Sequence, residues 1–149
     1  MKTHRLLILS VIFFLPLAGV SGAADSERVY SQGNVVAVTH VHVKPGMFDA
    51  YISNLNQSWR KYIERMKEDG HVIDYGVYAV PFAREGEPNL VLTVTYKDWA
   101  TFDLGMEYYD KLAEEIEGGT EASRQAFIKR EDLRTMGSAV VLQEVKFKD

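Results

Sequence analysis

The chain has 149 residues, with 17 Lys and Arg against 21 Asp and Glu, a net charge of −4 and no cysteine. The missing thiols exclude disulfide cross-links, thiol nucleophiles, thiolate metal sites and cysteine-ligated iron–sulfur clusters. An acidic chain without a basic stripe is also a poor match for nucleic acid or an anionic membrane surface.

At the N-terminus Lys2, His4 and Arg5 precede an apolar run from Leu6 to Val20, which gives way to Ser21, Gly22, Ala23 and Ala24. Basic, then apolar, then small is the order of a secretory signal peptide, with cleavage expected after Ala23 or Ala24. A membrane anchor fits less well, because a spanning helix needs about 20 apolar residues and this run is shorter and interrupted by Pro16. The expectation is an exported chain, periplasmic or secreted, with no stable membrane insertion once residues 1–24 are removed. Losing Lys2 and Arg5 takes the basic count from 17 to 15 against 21 acids, a net charge of −6. Residues 25–33 show no sustained period and read as a flexible lead-in. That leaves 34–149 as one domain, long enough to enclose a core.

From Val35 to Val43 the odd positions are Val, Ala, Thr, Val and Val, while the even ones run Val36, Val38, His40, His42. Neighbouring strand residues point to opposite faces, so one face is largely apolar throughout and the other becomes polar at its end, with both imidazoles on it. Lys44-Pro45-Gly46 ends the strand in a turn. Phe48, Tyr51, Ile52, Leu55, Trp59, Tyr62, Ile63 and Met66 then recur every three or four residues, which predicts one helix from about Met47 to Met66, capped near Gly70.

Val72 to Val80 alternates as a second strand, with Ile73, Tyr75, Val77 and Ala79 suited to helix contact and Val72, Asp74, Gly76 and Tyr78 opposite. Pro81, Gly86 and Pro88 mark a solvated hairpin loop before a third strand, Leu90 to Tyr96, whose second face carries Val91, Thr93 and Thr95. Asp98 is a suitable N-cap for a helical stripe from Trp99 to Ile116, ended by Gly118-Gly119. Thr120 is read as the cap of a third helix reaching Arg134, whose Lys129–Arg134 stretch reads as a solvated face. Gly137-Ser138 breaks it, and a last strand runs from Ala139 to Phe147. Both sides of that strand are mixed, so the sequence leaves open which side meets the helices.

The order βαββααβ describes an α+β fold: a split βαβ sheet with helices on one face. The other sheet face then needs a cover, and a second copy can supply it. This order, the Val43-to-Gly46 turn before a helix and the Asp98-Trp99 helix start resemble the dimeric α/β-barrel (ferredoxin-like) superfamily, over about Asn34 to Phe147. That group includes antibiotic-biosynthesis-type monooxygenases and stress-responsive barrel proteins. The resemblance implies a homodimer with a ligand space at each sheet. For the monooxygenases it also implies oxidation of electron-rich aromatic substrates with no bound metal or flavin.

His40 and His42 are the candidate catalytic residues, since an imidazole near its ordinary pKa exchanges protons at neutral pH. Asp74, Tyr78, Thr93, Thr95 and Glu144 are the candidate ligand-binding residues. A His-x-His pair can also hold a metal if a third group joins it, and Asp74 or Glu144 is the nearest candidate. Neither spacing is specific for that, so no metal and no other cofactor is expected. The leading expectation is a homodimer that binds a small, partly apolar molecule at the open sheet face. The alternatives are a cofactor-independent monooxygenase or isomerase with a strand histidine as base, and a non-catalytic envelope stress or interaction protein.

Overall fold

The computed structural model describes residues 28–149, so the leader read into residues 1–24 lies outside them. Four strands form one antiparallel sheet in the order β2-β3-β1-β4: β1 is Tyr30–Val43, β2 Val72–Ala79, β3 Leu90–Tyr96 and β4 Arg134–Phe147. The helices are α1 (Phe48–Gln57), α2 (Trp59–Glu68), α3 (Met106–Glu117) and α4 (Thr120–Arg130), with a 3₁₀ turn at Trp99–Asp103. This is the expected ferredoxin-like α+β architecture. Among the described residues, no helix is long and apolar enough to cross a membrane.

Alternation explains the buried side. Val35, Val41 and Val43 of β1 and Leu90, Leu92 and Val94 of β3 are all buried on the face that the helices cover. Two apolar clusters lie between the layers. Tyr51 and Leu55 of α1 pack on Val41, Val43, Leu90 and Leu92, and Ile63 and Met66 of α2 pack with Val72, Val94 and Leu112. Trp59 touches both clusters.

The predicted Met47–Met66 helix is two helices. Ser58 has left the helical region at φ −120, ψ −77, and its hydroxyl donates to the Glu117 carboxylate at 2.5 Å. Buried Ser58 thus spends its side chain on α3 rather than on its own turn. The Arg130 guanidinium lies 3.7 Å from the same carboxylate, in an ion pair whose side chains are only 15% and 10% exposed. Burial alone would raise the Glu117 pKa, but hydrogen bonds from Ser58 and Ser123 and the Arg130 charge hold it below the usual glutamate range.

Other boundaries also move. Asp98 caps only the 3₁₀ turn, accepting from the Ala100 N–H at 3.0 Å, and the α-helix begins afresh at Met106. Gly118, at φ 82, forms the left-handed cap of α3 as expected. Thr120 is the first residue of α4 rather than its cap, Gly119 standing in that place. The helix stops at Arg130, and Arg134 is buried at the start of β4 rather than solvated on a helix.

β1 also begins earlier than expected, at Tyr30, so Tyr30, Ser31 and Gln32 of the expected lead-in pair with Phe147, Lys146 and Val145. A bulge between Val72 and Asp74 turns Val72 into the core, although simple alternation put it on the opposite face, and leaves Ile73 exposed. The register of β4 answers the question its sequence left open. Arg134, Met136, Ala139, Val141 and Gln143 stand opposite helix-side residues of β1, while Thr135, Val140 and Leu142 stand opposite His42, Val38 and Val36.

Candidate functional site

Directly paired residues of antiparallel strands project from the same face, so the register gives the rows of the uncovered side. One row is Asp74, Thr95, Val36, Leu142, and the next is Gly76, Thr93, Val38, Val140. The third is Tyr78, Val91 and His40. Beside His40 the pairing jumps from Thr39–Ala139 to Val41–Met136, which leaves Gly137 and Ser138 as a two-residue bulge opposite one histidine. His42 follows, paired with Thr135.

The bulge joins the two imidazoles. The Ser138 hydroxyl lies 3.0 Å from Nδ1 of His40. A Cβ placed on Gly137 would stand 3.0 Å from Nε2 of His42 and 3.0 Å from the His40 carbonyl oxygen, so the His42 ring edge rests against a position that has no side chain. Gly76 plays a similar part across the sheet. A Cβ there would fall 2.5 to 2.7 Å from the ring and hydroxyl of Tyr78, which means that the phenol folds back over Gly76, next to Thr93.

The seven sequence candidates do not form one cluster. Tyr78 and Thr93 are in or next to the His40 row. Asp74 and Thr95 are in the Val36 row, four residues along β1 from His40, or about 13 Å at the usual strand rise. Glu144 lies beyond Leu142 at the same far end, where it accepts from the Asn34 N–H at 2.8 Å and meets Lys146 at 3.5 Å. Neither Asp74 nor Glu144 is therefore placed to act with the histidine pair. Among the described residues, no group of three His, Asp or Glu side chains is arranged to hold a metal ion.

Between the polar groups the floor is apolar. Val36, Val38 and Val91 are half-buried, and Val140 and Leu142 are 43% and 51% exposed. Five concavities of about 180 to 380 Å³ occur on the helical flank and at the strand ends, and none of the five takes a side chain from His40, His42, Tyr78 or Thr93. Among the described residues, Val36, Val38 and Val91 thus form an open floor on this face. Gly137 and Ser138 are the site residues that sequence reading missed. Gly-Ser read as a helix stop, yet glycine within an apolar alternation is also the mark of a bulge.

No protein-family model matches this chain, and no curated protein matches it in sequence. Solved structures do share its fold. The protein SO0527 from Shewanella oneidensis superposes with a TM-score of 0.50 at 16% identity, over 78% of this chain and 98% of that one. HapK from Hahella chejuensis gives a TM-score of 0.51 at 11% identity, over 74% and 91%. SnoaB from Streptomyces nogalater, a cofactor-independent oxygenase, gives 0.44 at 9% identity, over 74% and 91%. At such identities the likeness extends to the fold alone, which hosts unrelated activities. The chain has the ferredoxin-like α+β fold that its sequence pattern resembles.

Proposed function

We propose that this chain is an exported homodimer, periplasmic or secreted, that binds a small, partly apolar molecule against the open sheet face at the His40 row. One observation carries the reading: His40, Tyr78, Thr93 and Ser138 are grouped over a valine and leucine floor that no helix among the described residues covers. Exposed apolar surface with a few convergent polar groups is the usual composition of a ligand site once it is roofed. A second copy laid face to face supplies the roof and encloses the ligand space between the two sheets.

Native mass spectrometry and light scattering on the mature protein test this together. A dimer mass with a retained small molecule that is lost in His40→Ala is the expected result. A folded, ligand-free monomer would sink the proposal. A ligand-free dimer would favour the non-catalytic envelope stress or interaction role instead.

The His40–Ser138 contact favours a second reading, that of a cofactor-independent monooxygenase or isomerase. If Nδ1 carries the proton and donates it to the Ser138 oxygen, Nε2 keeps its lone pair and can accept a proton from a bound hydroxyl. Oxygen consumption with quinol-like substrates, abolished by His40→Ala, is the expected signature of the oxygenase. Unchanged consumption in that variant removes His40 as the base.

A further inference from the structure

We infer that the Gly137–Ser138 bulge of β4 is the device that positions both imidazoles, with Ser138 as the positioning residue for His40 and Gly137 as the space that His42 requires. The inference rests on the open-face binding reading and adds to it which ring atom meets the ligand.

An ungapped register would set a single β4 residue opposite His40, with its side chain projecting from the same face. The inserted residue changes this in two ways. It brings the Ser138 hydroxyl to 3.0 Å from Nδ1 of His40, and it places a residue without a Cβ where the His42 ring edge rests. With Nδ1 engaged, a neutral His40 has one free ring nitrogen, and its tautomer follows from the direction of the Ser138 bond. Nε2 is then the atom left for a bound molecule. Ser138 itself is exposed, and among the described residues its hydroxyl has no side-chain hydrogen bond other than the one to His40. A Cβ at Gly137 would crowd both the His42 ring edge and the His40 carbonyl at 3.0 Å, so a side chain there needs one or both to give by a few tenths of an ångström.

Nitrogen-15 shifts of the histidine side chains read the arrangement directly, with no ligand needed. The expected result for the parent is one dominant His40 tautomer at a pH where the ring is neutral. In Ser138→Ala the Nδ1 and Nε2 shifts should move toward a mixed-tautomer average, and Ser138→Thr, which keeps the hydroxyl, should restore the parent pattern. Gly137→Ala should shift the His42 signals while leaving the His40 tautomer in place. Binding of 1-naphthol, a flat apolar probe with one hydroxyl, should weaken about 5-fold in Ser138→Ala, as expected for one hydrogen bond. A His40 pattern that is the same in the parent and in Ser138→Ala, with both folded, overturns the positioning role. His40→Ala separates the two ideas. If that variant binds 1-naphthol as tightly as the parent does, the binding reading fails, whatever Ser138 does to the ring.

Discussion

The two faces of this sheet are made of the same strands and behave as opposites. Under the helices, β1 and β3 present Val35, Val41, Val43, Leu90, Leu92 and Val94, all buried. On the other side the same strands present Val36, Val38, His40, His42, Val91, Thr93 and Thr95, none of them fully buried. A face with a resident cover can be wholly apolar, because burial rewards each methyl group by about 0.8 kcal/mol per CH₂. A face that keeps polar groups among its valines forgoes part of that stabilisation, which is the expected composition where a surface must also meet something else. The largest test of this contrast is Leu90→Ala, at a side chain with no exposure in the first apolar cluster. It should lower unfolding stability by about 2–5 kcal/mol in a denaturant titration, whereas Val140→Ala on the open face of a dissociated protomer should change it by less than about 1 kcal/mol. Equal losses at the two positions would mean that the faces do not differ as described.

If a second copy covers the open face, a charge placed there should act on association and leave the protomer intact. Leu142→Asp puts a carboxylate at a half-exposed position of the Val36 row. Both copies of a two-fold interface carry the change, so dimerisation should weaken by ~100-fold or more in sedimentation measurements. Circular dichroism should remain that of the parent. An unaltered dimer would place the interface elsewhere on the molecule.

The helical layer is also tied by a partly buried ion pair that has no counterpart described among the histidines. Glu117 receives Ser58 and lies beside Arg130, and its folded pKa is below the ordinary value of 4.5. A depressed carboxylate pKa stabilises the fold fully above the unfolded value, and that contribution is lost as pH falls through the lower, folded value. Glu117→Gln should therefore cost about 1–2 kcal/mol at pH 7, with the gap between variant and parent closing as the pH drops below 4.5. A gap that stays constant with pH would show that the charge on Glu117 contributes nothing beyond its shape.

Much of the covered face is legible in the sequence, because strict alternation in Val35–Val43 and Leu90–Tyr96 and the three-and-four spacing of Tyr51, Leu55, Ile63 and Met66 each follow from one local period. What escapes is whatever a distant residue decides. Ser58 breaks the long helical stripe because its hydroxyl answers Glu117, 59 residues away in sequence, and no local propensity marks that. Gly137-Ser138 looks like punctuation after a helix, since glycine followed by serine disfavours both helix and strand. Only pairing with β1 turns it into a bulge. The same extra residue sets Ser138 beside His40, while the register of the other strands leaves Asp74 at the far end of the sheet, where Glu144 also lies. The histidines were readable from their shared strand face, but their neighbours depend on register, and register is not a local property.

The smallest expected effect is the most specific to the site. Gly76 weakens its strand by lacking a side chain, so alanine there should gain a few tenths to about 1 kcal/mol from backbone entropy. The new methyl group would meet the Tyr78 ring, whose far end lies 2.6 Å from where the Cβ would stand. Tyr78 is 58% exposed, so the ring has room to swing outward, and most of the stability gain should survive. The phenol would then leave the row beside Thr93 while the backbone pairing of β2 with β3 stayed as it was. Gly76→Ala should thus be near neutral in unfolding experiments and yet weaken binding of 1-naphthol, with loss of the close proton contacts between the Tyr78 ring and residue 76. If binding is unchanged although the ring has moved, Tyr78 belongs to the rim of the open face, and the ligand is held by His40 and Thr93 without it.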